Sequence, residues 1–260
     1  MADIRSVQVA EGFHVSAPQV EGALISEIHF IYNEVFVDRD YLKHGIRIPG
    51  SARVVDVGAN VGMFSLFVVG ECPDARILAF EPIPEIYQAL RENLSRYGAK
   101  GVKPVRSALG GLPEEKVRFT YFPALPGNST RHPEEKQLNK RLVEEQLGPE
   151  AVDRILGAVE VEAEVLRLSD ALRDWEPEGP IDLLKIDVEG SELEVLEGID
   201  GSDWRRIRQC VIEVQDLDGR LDAVLGLLGA EGFTVATERA ANIPDVLRHW
   251  MVYAAKKDAQ

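Results

Sequence analysis

The chain has 260 residues, 45% of them apolar and 28% charged, with 29 Lys and Arg against 44 Asp and Glu and a formal net charge of −15. This composition supports a folded chain with a sizeable core and excludes wholesale disorder. So acidic a surface repels phosphate backbones and anionic lipid, so nucleic acid and membrane surfaces are not expected partners. No stretch approaches the roughly 20 apolar residues of a membrane span. The N-terminal MADIRSVQVAEGF lacks the apolar region of a secretory signal. Two cysteines, Cys72 and Cys210, make neither a disulfide framework nor a zinc-ligand set. A reducing, cytoplasmic setting is expected.

Residues 1–48 precede any regular alternation. Their aromatic-rich segment IHFIYNEVFVDRDYLKHGI has a helical middle and is expected to cap the functional edge of a sheet. From Arg53 the pattern is regular. Arg53–Gly58 is a β-branched run, Val61–Gly70 has helical spacing, and Arg76–Pro82 is a second strand cut off by Pro82. Pro84–Tyr97 reads as a helix with Pro in its first turn and Gly98 just past its end. Val102–Arg106 and Val117–Phe122 read as strands. The segment 123–157 opens turn-rich and polar and continues into helices with little apolar face, which marks an insertion over the rim of the fold. Beyond it come strands at Val159–Leu166, Ile181–Gly190 and Cys210–Val214, and helices at Glu192–Leu196 and Leu221–Leu228. Two last strands, Phe233–Thr237 and Trp250–Ala255, have no helix between them and are expected to pair antiparallel. The alternation predicts a doubly wound, mainly parallel sheet with helices on both faces.

The strongest local signal is VVDVGANVG, Val54–Gly62. Asp56 sits near the strand's end, Gly58 permits a tight turn, and Gly62 lets the following helix pack close. Glu81, ending the next strand, faces the crevice where a carboxylate accepts both hydrogen bonds of a ribose diol. A dinucleotide needs a small residue in mid-loop so that backbone approaches pyrophosphate, and here that residue is Asn60. S-adenosylmethionine carries no phosphate and has a cationic sulfonium suited to an acidic mouth, so it is preferred to NAD. Three separate strands end in acids: Glu81, then Asp187 with Glu189, then Glu213 with Asp216. Lys185, inside an apolar strand, needs a buried partner, for which Asp187 and Glu213 are candidates.

Together VVDVGANVGMFSLF, AFEP and LLKIDVEGSELEVLEGI followed by VIEV resemble the FkbM family of S-adenosylmethionine-dependent methyltransferases, in matching order from about Tyr32 to Tyr253. EVFVDRDYLKHGI resembles a branch found as stand-alone enzymes or within polyketide and peptide synthases, which O-methylate hydroxyl or carboxyl groups. The resemblance implies a Rossmann-like, seven-stranded sheet in a methyltransferase domain over 49–260, with a cap over 1–48 and a lid-like insertion over 123–157. It implies a cofactor site from Asp56, Gly58, Ala59, Asn60, Gly62, Glu81 and Pro82, with Ser107 and Ala108 near the adenine and Asp187, itself a cofactor candidate, with Glu189 on the reaction rim. Tyr41 either contacts the cofactor or packs the cap. Catalytic candidates are His44, Asp187, Glu189 and Glu213, with His44 the favoured base because it lies where cap meets cleft. His14, His29, His132 and His249 are less well placed. Where that branch often has His, this chain has Gln215, which removes one possible base. Asp187, Glu189, Glu213 and Asp216 offer a hard cation ligands, but activity is expected without one. The acceptor is expected to be a small molecule, free or carrier-tethered. An NAD-dependent oxidoreductase and an inactive binding module are the competing functions.

Overall fold

The computed structural model describes residues 4–18, 24–176 and 178–257. Strands β1 (Ile4–Ala10) and β2 (Phe13–Pro18) form an antiparallel hairpin that turns at Gly12, whose φ is +73°. Helix α1 (Leu24–Tyr32) follows and continues through a π-helical turn, Asn33–Val37. The core then alternates: β3 (Arg53–Val57), α2 (Met63–Glu71), β4 (Arg76–Phe80), α3 (Pro84–Arg96) and β5 (Val102–Val105). A short β6 (Ala108–Leu109) leads to β7 (Glu114–Tyr121), and α4 (Gln137–Leu147) and α5 (Pro149–Leu156) precede β8 (Val159–Leu166). The chain closes with α6 (Leu168–Trp175), β9 (Leu183–Ile186), α7 (Glu192–Glu197), α8 (Gly201–Trp204), β10 (Gln209–Gln215), α9 (Arg220–Ala230), β11 (Thr234–Arg239) and β12 (His249–Ala255).

Seven strands form one sheet in the order β11-β12-β10-β9-β3-β4-β5, parallel except for β12, which runs antiparallel to both neighbours. The terminal pair is thus antiparallel, as the missing helix between them requires. The order reverses beside β3, and the carboxyl ends of β3, β9 and β4 meet at that switch point, where open α/β sheets bind ligands. The sheet is buried on both faces. Val54, Ile77, Leu183 and Val211 face one core with α2, α3 and the N-terminal hairpin, while their neighbours Val55, Leu78, Leu184 and Ile212 face the other with α6, α7 and α9. That is the period-2 alternation of a strand whose both sides are apolar.

Two predicted strands lie elsewhere. β7 and β8 pair with each other, antiparallel, and with β6 form a separate three-stranded sheet, which carries the insertion between them. The N-terminal residues do pack on the core: Val7, Val15, Ile28 and Val35 join its first face. Asn93 of α3 ties the hairpin down, taking the Ser16 amide at 2.6 Å and donating to the carbonyls of Ser16 and Val61 at 2.9 Å each. No helix among the described residues is long and apolar enough to cross a membrane.

Candidate active site

A cavity of about 590 Å³ opens over the switch point, walled by the β3, β4, β9 and β10 exits, by α1, and by the insertion. Gly58 (φ +76°) carries the turn out of β3, and a Cβ there would lie 1.8 Å from the Asp187 carbonyl oxygen, so no side chain fits. The exits of β3 and β9 touch at this point. The amides of this turn are all paired, three of them with the end of β4. Gly58 and Ala59 donate to the Phe80 carbonyl at 3.1 and 2.8 Å, Asn60 donates to Glu81 Oε2 at 3.0 Å, and Val61 donates to Asn60 Oδ1 at 2.7 Å. Asn60 holds φ +50° to make this turn, which its short polar side chain tolerates.

Glu81 is 5% exposed and takes a second amide, Ile83, on Oε1 at 2.9 Å. Burial pushes its carboxyl up to about 7 against the pull of these two amides. Ser107 is wholly buried in the cavity wall, and its Oγ has no hydrogen-bond partner. A buried polar atom left unpaired at a cavity wall calls for a ligand atom.

Of the residues expected from sequence, Tyr41, Gly58, Ala59, Asn60, Glu81, Pro82, Ser107, Ala108, Asp187, Glu189 and Glu213 all line this cavity. Three do not. Asp56 lies behind the wall, 0% exposed, accepting from Ser65 Oγ at 2.7 Å with Lys185 Nζ 3.4 Å away. Gly62 faces Leu90 Cδ1 of α3, where a Cβ would come within 2.6 Å, so it serves helix packing. His44 is corrected most sharply. It points away from the cavity, 39% exposed, with Nε2 2.9 Å from Glu238 and its ring against Tyr253.

On the rim, Lys185 finds its partners in Asp56 and Asp187 rather than in Glu213. It donates to the Gly58 carbonyl at 2.7 Å and lies 3.5 Å from Asp187 Oδ2. Burial alone would drive this ammonium down, but Asp187 and Asp56 outweigh it and hold it above the usual lysine value. The Tyr41 hydroxyl donates to the same Asp187 oxygen at 3.0 Å. Burial, then the charge of Asp187, raises the Tyr41 phenol well above its usual value, so it stays a donor.

Glu189 holds φ +54°, a costly conformation for Glu, and is secured twice by the insertion. Thr130 Oγ1 donates to its carbonyl at 2.6 Å, and Lys136, 1% exposed, pairs with its carboxylate. On the opposite side the insertion's Gly127 amide donates to Glu27 of α1 at 2.8 Å. Arg131 lines the cavity, whereas His132 is not part of its wall and lies 3.2 Å from Glu194. Asp216 pairs with Arg248 at 2.6 Å, and Gln215 Nε2 donates to the Leu247 carbonyl at 3.3 Å, so neither lines the cavity. Among the described residues no three His, Cys, Asp or Glu side chains gather as a metal site would need.

Three residues that the sequence did not single out, and one that it ranked behind His44, complete the site. Glu27 and Glu34 reach the cavity from α1 and its π-turn, with Phe30 and Ile31 between them. Their spacing of three, four and seven puts them on one helical face, a signal present in the sequence. Burial raises Glu27 to about 8. It also raises Glu34, together with the nearby charges of Glu213, Asp187 and Asp40. Lys136 is the third. The fourth is His249, 8% exposed, whose Nδ1 lies 2.7 Å from Glu213 Oε1. It stands opposite Gln215 in the β10–β12 register, so the neighbouring strand supplies a histidine where Gln215 does not.

The family model of the methyltransferase FkbM domain matches residues 56–235. The chain is 42% identical over 245 residues to methyltransferase sdnD of Sordaria araneosa, covering 89% of this chain and 91% of that one. It is 41% identical over 224 residues to 31-O-demethyl-FK506 methyltransferase FkbM of Streptomyces tacrolimicus, covering 82% and 84%. A 36% match to AMB antimetabolite synthetase AmbE of Pseudomonas aeruginosa covers 87% of this chain but 12% of that protein. Among solved structures, methyltransferase FkbM from Methylobacillus flagellatus shares the fold with a TM-score of 0.55 at 16% identity, over 86% of this chain and 47% of that one. A glycine turn whose amides are paired with β4, a buried acid at the end of β4, and a domain-long match that begins at Asp56 agree: this chain is a methyltransferase of the FkbM family.

Proposed function

We propose that the protein is an S-adenosylmethionine-dependent O-methyltransferase acting on a hydroxyl or carboxyl group of a small biosynthetic intermediate, free or carrier-tethered, in the cytoplasm. The observation that carries the cofactor assignment is the saturated loop. The amides of Gly58, Ala59, Asn60 and Val61 are all spent within the protein, and the Glu81 carboxyl lies against them. A pyrophosphate needs such amides free and no carboxylate beside them, which argues against a dinucleotide. A ribose diol suits Glu81, and the unpaired Ser107 Oγ suits a polar edge of an adenine.

S-adenosylmethionine, when bound, supplies an activated methyl group. The protein's part is to bind, orient and exclude water. Glu81 fixes the ribose, while Tyr41, Asp187 and Lys185 hold the Gly58 end of the chamber. The insertion, anchored at Glu189 and Glu27, roofs it. Such alignment of donor and acceptor is worth about 7–11 kcal/mol in favourable cases. Oxygen as the methylated atom is supported by the 31-O-demethyl acceptor in the name of the Streptomyces tacrolimicus relative.

The test is calorimetry with S-adenosylmethionine and NAD in parallel, then transfer of tritiated methyl to hydroxylated acceptors. Binding of the first alone, with label recovered as an ether or ester, is expected. NAD binding, or label recovered on nitrogen or carbon, would overturn the proposal.

A further inference from the structure

We infer that His249, oriented by Glu213, is the base that takes the acceptor's proton, and hence that the acceptor is a hydroxyl rather than a carboxylate. The inference rests on the methyltransferase reading above. Among the described histidines, His249 is the one that lines the cavity. Its Nδ1 is engaged by Glu213 Oε1 at 2.7 Å, and both side chains are buried, 8% and 12% exposed. No described residue hydrogen bonds to Nε2, the atom left for a ligand. A carboxylate on Nδ1 fixes the proton there and leaves the Nε2 lone pair as the acceptor.

The two acids of the β9 exit are committed elsewhere. Asp187 accepts from Tyr41 beside Lys185, and Glu189 is tied to Lys136. The pairing follows from the sheet. β12 is the antiparallel strand beside β10, and residue 249 lies diagonally across from Glu213, which faces Met251 directly. In the step, the acceptor's O–H proton passes to Nε2 and its bonding pair stays on oxygen, which bonds the methyl carbon as the carbon–sulfur bond of the sulfonium breaks and its pair stays on sulfur, so that S-adenosylhomocysteine leaves as the neutral thioether. The imidazolium is held by Glu213. A carboxylate acceptor has no such proton and needs no dyad.

The charged groups acting on His249 are Glu213 from β10, Glu189 from the β9 exit and Lys136 from the insertion, while Asp187 and Glu34 of the π-turn act on its partner Glu213. Burial works to lower His249, and the Glu213 hydrogen bond with the Glu189 charge outweighs it. The His249 imidazole is therefore held above the ordinary histidine value.

The test uses nitrogen-15 imidazole titration of the full chain, alone and with S-adenosylhomocysteine, with His249→Gln to assign the signals. A ring protonated on Nδ1 when neutral, titrating above the ordinary value and brought down in Glu213→Gln, is expected. A neutral ring protonated on Nε2, or a titration unmoved in Glu213→Gln, would overturn the inference. This readout needs no acceptor and tests the pairing; the kinetics test the role. With 31-O-demethyl-FK506 as the acceptor probe, His249→Gln should lower kcat by on the order of 10²–10⁴ with cofactor affinity within about twofold. Glu213→Gln should move the acid limb of kcat/KM to lower pH, which a merely structural role would not do. Undiminished kcat in His249→Gln contradicts the inference. Failure of the unvaried protein to bind S-adenosylmethionine would instead remove the cofactor reading and leave the imidazole result as it stands.

Discussion

Lys136→Met is the sharpest probe of how the insertion is held. Lys136 is 1% exposed and its partner Glu189 is largely buried, with 16% of its side chain accessible. Removing one member of a buried ion pair leaves the other charge uncompensated and costs about 3–5 kcal/mol. The residual exposure of Glu189 places the cost near the lower bound, about 3 kcal/mol. With a urea slope of about 3 kcal/mol/M, the unfolding midpoint should fall by about 1 M. Glu189 is also held by Thr130, so the insertion need not detach as a whole. Local opening would appear as lost amide-exchange protection over residues 126–136. Lys136→Met with Glu189→Gln should restore at least half of the loss, since no unpaired charge remains. A single variant within 0.5 kcal/mol of the parent, with unchanged exchange protection, would refute the anchoring role of this pair.

Glu81→Ala should weaken S-adenosylmethionine binding by about 1.5–3 kcal/mol, read by calorimetry, and equal affinity would count against the ribose contact. Gly58→Ala should abolish cofactor binding or folding, because a methyl group there collides with the Asp187 backbone; a folded, binding-competent variant would contradict the close approach of β3 and β9. The melting temperature of the cofactor-free protein should fall as pH rises from about 5 to 8.5. Glu81 and Glu192 titrate at about 7 and Glu27 at about 8 when folded. Each therefore binds its proton more tightly folded than unfolded, and the stability it adds is complete below the ordinary carboxyl value and lost as pH climbs through the folded one. A melting temperature rising across that range would oppose this.

The cofactor half of the site was legible because its chemistry is local. A glycine turn, an acid twenty-three residues after Gly58 and a small polar residue past β5 sit at strand ends that β-branched runs announce. The acceptor half was not, because it is made by pairing. His249 and Glu213 are thirty-six residues apart and meet only through the β10–β12 register. His44 misled by proximity in sequence: its left-handed backbone, φ +50°, carries the ring outward to Glu238. The N-terminal hairpin was legible in principle, since the apolar Val7, Val9, Val15 and Ala17 stand at every second position on either side of Gly12, but a short strand pair without a flanking helix gives a weak signal. Lys136 gave none, being one lysine in a polar stretch until the insertion folds back on Glu189.

The most direct measurement is a crystal structure of the protein with S-adenosylhomocysteine. Ribose hydroxyls on Glu81, the adenine against Ser107 and Ala108, and the sulfur directed toward the His249 end of the cavity are the expected arrangement. A ligand seated outside this cavity, or lying in it with Glu81 and Ser107 untouched, would contradict the assignment of the cavity as the methyl-transfer site.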